Sequence, residues 1–219
     1  MKMPTVFDKL LILSLHEEKC TVLPSVSKKL EIGVSGGILV ELTLRGEVQA
    51  KGSSNRLELA QASETGDDLL DETVALIQGT EQNHKFGYWI KHLRSQFGAD
   101  RERLIARLVA NGVLNQSDDG LTWVTPYADS PNQHASAKYV LKSQLRELVL
   151  TQGEADLSDL ALLGLVKASN LLNLVFTKDE RKAAKRWIYT ALTSRALKEE
   201  SAQTLQAIEM AIDSQAGNS

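Results

Sequence analysis

With 219 residues, 42% of them hydrophobic and only 5% aromatic, the chain carries enough apolar mass for one substantial core. A formal charge of -3 speaks against a protein built to coat nucleic acid, and no apolar run approaches the roughly 20 residues of a membrane-spanning helix. Cys20 stands alone, so no internal disulfide is available, and Asp8 and Lys9 sit where a secretory leader would carry its apolar stretch, so the expected setting is the cytoplasm.

In chain order, the periodicity predicts a first helix over residues 5–16, with Val6, Leu10 and Leu13 on one side. Thr21 to Leu23 reads as a short strand stopped by Pro24, and residues 25–33 as a connector or broken helix carrying Lys28 and Lys29. The stretch from Ser35 to Gly46, SGGILVELTLRG, is the organising element. Ile38, Leu39 and Leu42 fall on one face, and Val40 and Leu44 widen it, so a helix covered on most sides is expected. Ser35 is its expected N-cap and Gly46 its left-handed stop, while Gly36 and Gly37 admit another backbone.

Period two then takes over in EVQA and RLELA, whose separation by KGSSN predicts a hairpin. A helix over 67–79 follows, with Thr65 as its cap and Asp67 and Asp68 at the positive end of its dipole. Two further helices, over 85–96 and 101–111, lead through the turn NQSDDG into LTWVTPY. These residues predict a projecting β-hairpin with its following loop over 115–131. Beyond the loop at 129–136, helices are expected over 137–150, 157–176, 183–197 and 204–212, with fraying over 213–219. The helix over 157–176 is apolar nearly all round, yet its lysine and asparagines mark it as buried in protein rather than in lipid. The expected fold is therefore mainly α: a single domain over 1–219, a helical bundle around a central apolar helix, with small β-hairpins.

The chain contains no HExxH, phosphate loop, dinucleotide fingerprint or nucleophile elbow, so no catalytic residue, cofactor or metal site is assigned and no enzyme activity is expected. Glu64, Asp67, Asp68, Asp71 and Glu72 are the nearest approach to a Mg²⁺ site, but a helix start uses such carboxylates structurally. Binding needs only a patch. Lys85, Lys91, Arg94, Arg101, Arg103 and Arg107 form one basic stretch. Lys178, Arg181, Lys182, Lys185, Arg186, Arg195 and Lys198 form another. On one surface the two would receive an anionic partner, and apart they are solvated helix faces. Guanidinium groups at Arg101 and Arg103 suit phosphate oxygens, and Trp123 on a hairpin suits a membrane interface. A helix followed by an aromatic hairpin is also how a winged nucleic-acid reader is built, although the net charge makes nucleic acid the weaker partner.

Five segments carry a family resemblance: LLILSLHEEK, GGILVELTLRGEV at 36–48, TGDDLLDETVALI at 65–77, RERLIARLVANGVL at 101–114 and LALLGLVKASNLLNLVF at 160–176. In order and spacing, over about residues 7–212, they resemble the Golgi phosphoprotein 3 family, and the short form is similar to its bacterial members. The resemblance implies a helical domain with a projecting hairpin and no catalysis. It also implies a peripheral adaptor on the cytosolic face of a membrane, which binds phosphatidylinositol 4-phosphate or another anionic headgroup and grips protein clients. Carried over residue by residue, the headgroup site falls at Val26 and Ser35, where the family has tryptophan and arginine, and at Gly98 and Arg101, where it has two arginines. Lys28, Lys29, Arg94 and Arg103 are the cations at hand to compensate, each missing phosphate contact being worth about 1.5 to 3 kcal/mol. Leu121, Trp123, Val124 and Tyr127 would give the hairpin its contact with a membrane or with a second subunit in a homo-oligomer. The alternatives to lipid binding are an interaction module without lipid specificity and the winged nucleic-acid binder.

Overall fold

Thr5 starts the first helix by a reciprocal cap: its hydroxyl accepts the Asp8 amide proton, and the Asp8 carboxylate accepts that of Thr5. The structure is a computed structural model and describes residues 4–80, 84–98, 100–124, 136–196 and 199–216. In these, α1 (Val6–Ser14) and α2 (Ser27–Leu44) are followed by β1 (Val48–Ala50), β2 (Leu57–Leu59), α3 (Asp68–Gln78), α4 (Phe86–Leu93) and α5 (Arg101–Ala110). Then come β3 (Leu114–Ser117), β4 (Gly120–Trp123), α6 (Ala137–Leu150), α7 (Leu157–Ala168), α8 (Arg181–Ala196) and α9 (Glu200–Ala216). The protein is mainly helical, and the four strands among the described residues pair into two antiparallel hairpins, β1 with β2 and β3 with β4.

The organising helix is longer than its sequence indicates. Residues 27–33, part of the stretch expected as a connector or broken helix, open α2 as continuous helix, so Ser35 lies inside the helix instead of capping it. Its hydroxyl donates to the Glu31 carbonyl at 2.7 Å. Glycines mislead here because their low helix propensity is overridden by packing. A Cβ on Gly36 would lie 2.3 Å from Ile212 Cδ1 of α9, and one on Gly37 would lie 2.8 Å from Phe7 Cβ of α1. Residues 32–43 are buried without a break, enclosed by α1, α4, α7 and α9.

Other boundaries moved for local reasons. The helix expected over 157–176 ends at Ala168, because Asn170 takes a left-handed φ of 56° and the chain re-forms as a short 3-10 turn, Leu172–Leu174. Asp67, not Thr65, caps α3, its carboxylate accepting the amides of Leu69 and Leu70. Thr65 instead donates to Asp71 Oδ1 at 2.7 Å. The last helix persists to Ala216, past the point where fraying was expected. The first hairpin matches its expectation, Val48 facing Leu59 and Ala50 facing Leu57. It is fastened to α9 by the Ala50 amide donating to Thr204 Oγ1 at 2.9 Å.

Two ion-paired groups are built into the interior. Arg107 of α5 donates from Nε to Asp8 Oδ1 at 2.7 Å and from Nη1 to Asp67 Oδ1 at 2.8 Å, and both carboxylates are fully buried. Burial works against the guanidinium charge, but the hydrogen bonds to Asp67 and Asp8 outweigh it and raise the pKa. Lys167 of α7 donates to Glu209 of α9, whose carboxyl is pushed above the usual range by burial while Lys167 pulls the other way. Lys167→Ala should therefore cost about 1 to 2 kcal/mol at neutral pH. A carboxyl whose folded-state pKa is raised destabilises the fold above that value and ceases to do so as pH falls toward its unfolded value. The gap in melting temperature between wild type and variant should accordingly narrow on acidification. Parallel curves would show that Glu209 does not depend on Lys167.

Candidate functional site

Pro24 opens a 3-10 turn, Pro24–Val26, that feeds into α2 at Ser27. This end of α2 is its only well-exposed part, and cations from two distant stretches lie there. Lys28 is exposed on the first turn. Glu31, one turn on, receives Arg94 at 3.1 Å (Nη2 to Oε2) and has Arg101 at 3.8 Å (Nη2 to Oε1). Arg101 also donates to the Ser27 hydroxyl and remains about half exposed, at 51%. Arg94 comes from a π-helical turn, Arg94–Gly98, and Arg101 is the first residue of α5, so two adjoining elements aim their guanidinium groups at one helix face. Two guanidinium groups share one carboxylate, with the exposed Lys28 on the same turn of the helix.

Not every residue expected at this surface reaches it. Arg103 turns to α3, where its Nη1 donates to Glu72 Oε2 at 2.9 Å, and that hydrogen bond raises its pKa. Ser35 is fully buried and spends its hydroxyl inside α2, so it presents nothing to a ligand. Val26 is buried and supplies an apolar floor where the family pattern has an indole. Gly98 closes the π-helical turn and brings no charge. Three of the five acidic residues around the start of α3 are likewise spoken for, Asp67 by Arg107, Asp71 by Thr65 and Glu72 by Arg103, while Glu64 and Asp68 are exposed.

The second basic stretch meets α2 on its other flank. Lys178, Arg181, Lys182 and Lys185 share one face of the turn leading into α8 and of its first two turns, by their spacing of three, four and seven. Together with Lys29 they line a cleft of about 760 Å³ floored by Val26 and Leu172. Among the described residues no carboxylate lines it. Glu180, within the same basic stretch, is turned away to Arg146 at 3.0 Å (Nε to Oε2), and the Arg146 hydrogen bonds draw its carboxyl down to about 2. The α8 half of this cleft was visible as a charge run, whereas Lys29 was visible only as a lysine of the expected connector, and their meeting across about 150 residues has no local signature.

The second hairpin lies against the body along one side. The Trp123 indole N–H donates to the Glu17 carbonyl at 2.6 Å, and Val124 N–H donates to the Val113 carbonyl at 3.0 Å. Leu121 lines a groove of about 500 Å³ with Val22 and with Ile105 and Ala106 of α5, while residues 115–120 at the tip are exposed. Cys20, at the bottom of that groove, is buried, and burial raises its thiol pKa, leaving it a packed apolar group. Tyr127 and the rest of the expected 115–131 arm lie outside the described residues.

No helix among the described residues is long and apolar enough to cross a membrane. Among curated proteins, vacuolar protein sorting-associated protein 74 of Eremothecium gossypii is 29% identical over 128 residues. That match takes in 50% of this chain but only 38% of the relative, so the chain spans well under half of that protein's length. The sequence model of the family described as Golgi phosphoprotein 3 (GPP34) matches residues 7–210, nearly the whole chain. The chain belongs to the Golgi phosphoprotein 3 family.

Proposed function

We propose that this protein is a non-enzymatic, peripheral-membrane adaptor that docks on anionic phospholipid headgroups through the cationic end of α2. The observation that carries the reading is that Arg94 and Arg101 meet at Glu31 beside the exposed Lys28, with Glu31 the one ion-paired counterion of the two arginines among the described residues. Family membership supports an adaptor role, and the loss of the tryptophan and of two arginines from the family pattern argues for charge-driven recognition rather than a close-fitting headgroup pocket. A cation near an anionic leaflet contributes about 1 kcal/mol, so Lys28→Ala with Arg101→Ala should weaken vesicle binding by about thirtyfold. The measurement is flotation on phosphatidylcholine vesicles with and without phosphatidylserine. Binding is expected only to the anionic vesicles and should decline with salt. Equal recovery on both kinds would remove lipid recognition.

A further inference from the structure

We propose that the cleft between α2 and α8 is a discrete site for a phosphate-ester group, separate from the Arg101 side of α2. The separation follows from the helix itself. Ser27 and Glu31 carry Arg101 and Arg94 on one face, whereas Val26 and Lys29 look into the cleft.

The walls come from four places in the chain: the start of α2, the left-handed residue that ends α7, the 3-10 turn after it, and the first turns of α8. At about 760 Å³ the space suits a small ligand. Its donors are ammonium groups at Lys29, Lys178, Lys182 and Lys185 and the guanidinium of Arg181, with Asn170 and Asn173 at the edge. Arg181 is partly fixed, its Nε donating to the Phe176 carbonyl at 3.3 Å, which leaves both terminal nitrogens for a ligand. The Lys29 ammonium lies 3.4 Å from the Asn170 carbonyl, across the mouth between α2 and α7.

Five like charges lining one concavity repel one another, and of the two carboxylates beside them neither lines it: Asp179 is exposed and Glu180 is committed to Arg146 and to the Thr177 amide at 2.9 Å. The positive end of the α8 dipole adds to the same field. An oxyanion of more than one negative charge matches this arrangement, and phosphate esters supply it together with several acceptor oxygens. The ester is either carried on a lipid headgroup or free in solution.

The test is isothermal titration of the full chain with inorganic pyrophosphate, alongside co-sedimentation with phosphatidylcholine vesicles with and without phosphatidic acid. Lys182→Ala with Lys185→Ala should weaken pyrophosphate binding by about tenfold for each lysine removed, while Arg101→Ala should leave it within about twofold. Both lysines are exposed, so the fold should survive, and a glutamine pair in their place provides the same charge loss if alanine does not express. Binding to phosphatidic acid vesicles that pyrophosphate displaces assigns a lipid headgroup. Pyrophosphate binding without vesicle binding assigns a soluble ester and leaves the cleft standing even if the membrane reading fails. No heat with pyrophosphate, or an equal loss with Arg101→Ala, would overturn the proposal, since a diffuse field rather than a site would then account for the charge.

Discussion

Arg107→Ala should be the most damaging single change away from the surface, costing about 3 to 5 kcal/mol of stability. The reason is that it strands two carboxylates at once. Asp8 closes the cap of α1 and Asp67 caps α3, each spending part of its acceptor capacity on backbone amides and the remainder on the same guanidinium. Both are fully buried, so water cannot replace the lost partner. Arg107 also stacks over the Phe7 ring at 4.8 Å, a contact that alanine forfeits. For a chain of this size the melting temperature should fall by roughly 10 °C. Urea unfolding supplies the free energy, and a loss below about 1 kcal/mol would show that the two caps tolerate unpaired charge. Removing the acids together with the base, by Asp8→Asn, Asp67→Asn and Arg107→Met, should recover much of the deficit, because the cost lies in the uncompensated charges rather than in the absent pair.

Gly37→Leu should cost about 3 kcal/mol or more, at the upper end of what overpacking does. Here α1 and α2 touch nearly backbone to backbone: a Cβ on Gly37 would meet Phe7 Cβ at 2.8 Å and Phe7 Cα at 3.3 Å, and a main-chain atom cannot swing aside. Gly37→Ala should already be destabilising although alanine is the better helix former by about 1 kcal/mol. Gly87, inside α4, is the internal control. Its added Cβ would meet nothing nearer than Gln215 Nε2, at an ordinary 3.7 Å, so Gly87→Ala should stabilise by about 0.5 to 1 kcal/mol. Thermal melts of the three variants decide the matter. A stabilised Gly37→Ala would mean that α1 and α2 are free to move apart.

What the sequence made legible was whatever is encoded within a few residues. Alternation in EVQA and RLELA located β1 and β2, and Gly112 beyond α5 marked where that helix stops. The start of α2 was illegible because Gly33 looks like a breaker; its lack of a side chain is instead a fit to Leu10 and Ser169, brought from 23 residues before and 136 after. The end of α7 was hidden for the opposite reason, an apolar run that continues through a left-handed asparagine. The candidate site divides in the same way. That Arg94, Arg101 and the lysines 28 and 29 are cations is plain from the chain, but which carboxylate each one meets is a long-range fact. Arg94 meets Glu31, 63 residues away, and Arg103 meets Glu72, 31 residues away, which is why the one contributes to the surface beside α2 and the other does not. Ser35 is buried instead of standing at a helix end because its helix begins nine residues earlier than expected, at Ser27 rather than Gly36.

The unbroken burial of α2 from Ile32 to Thr43 gives its exposed tip an unusual mechanical footing. Lys28 and Lys29 ride on the end of a rod gripped along its length by α1, α4, α7 and α9, so whatever anion lands there finds its anchorage already set. Capture then stills the swing of a few long side chains and asks for no backbone to be ordered.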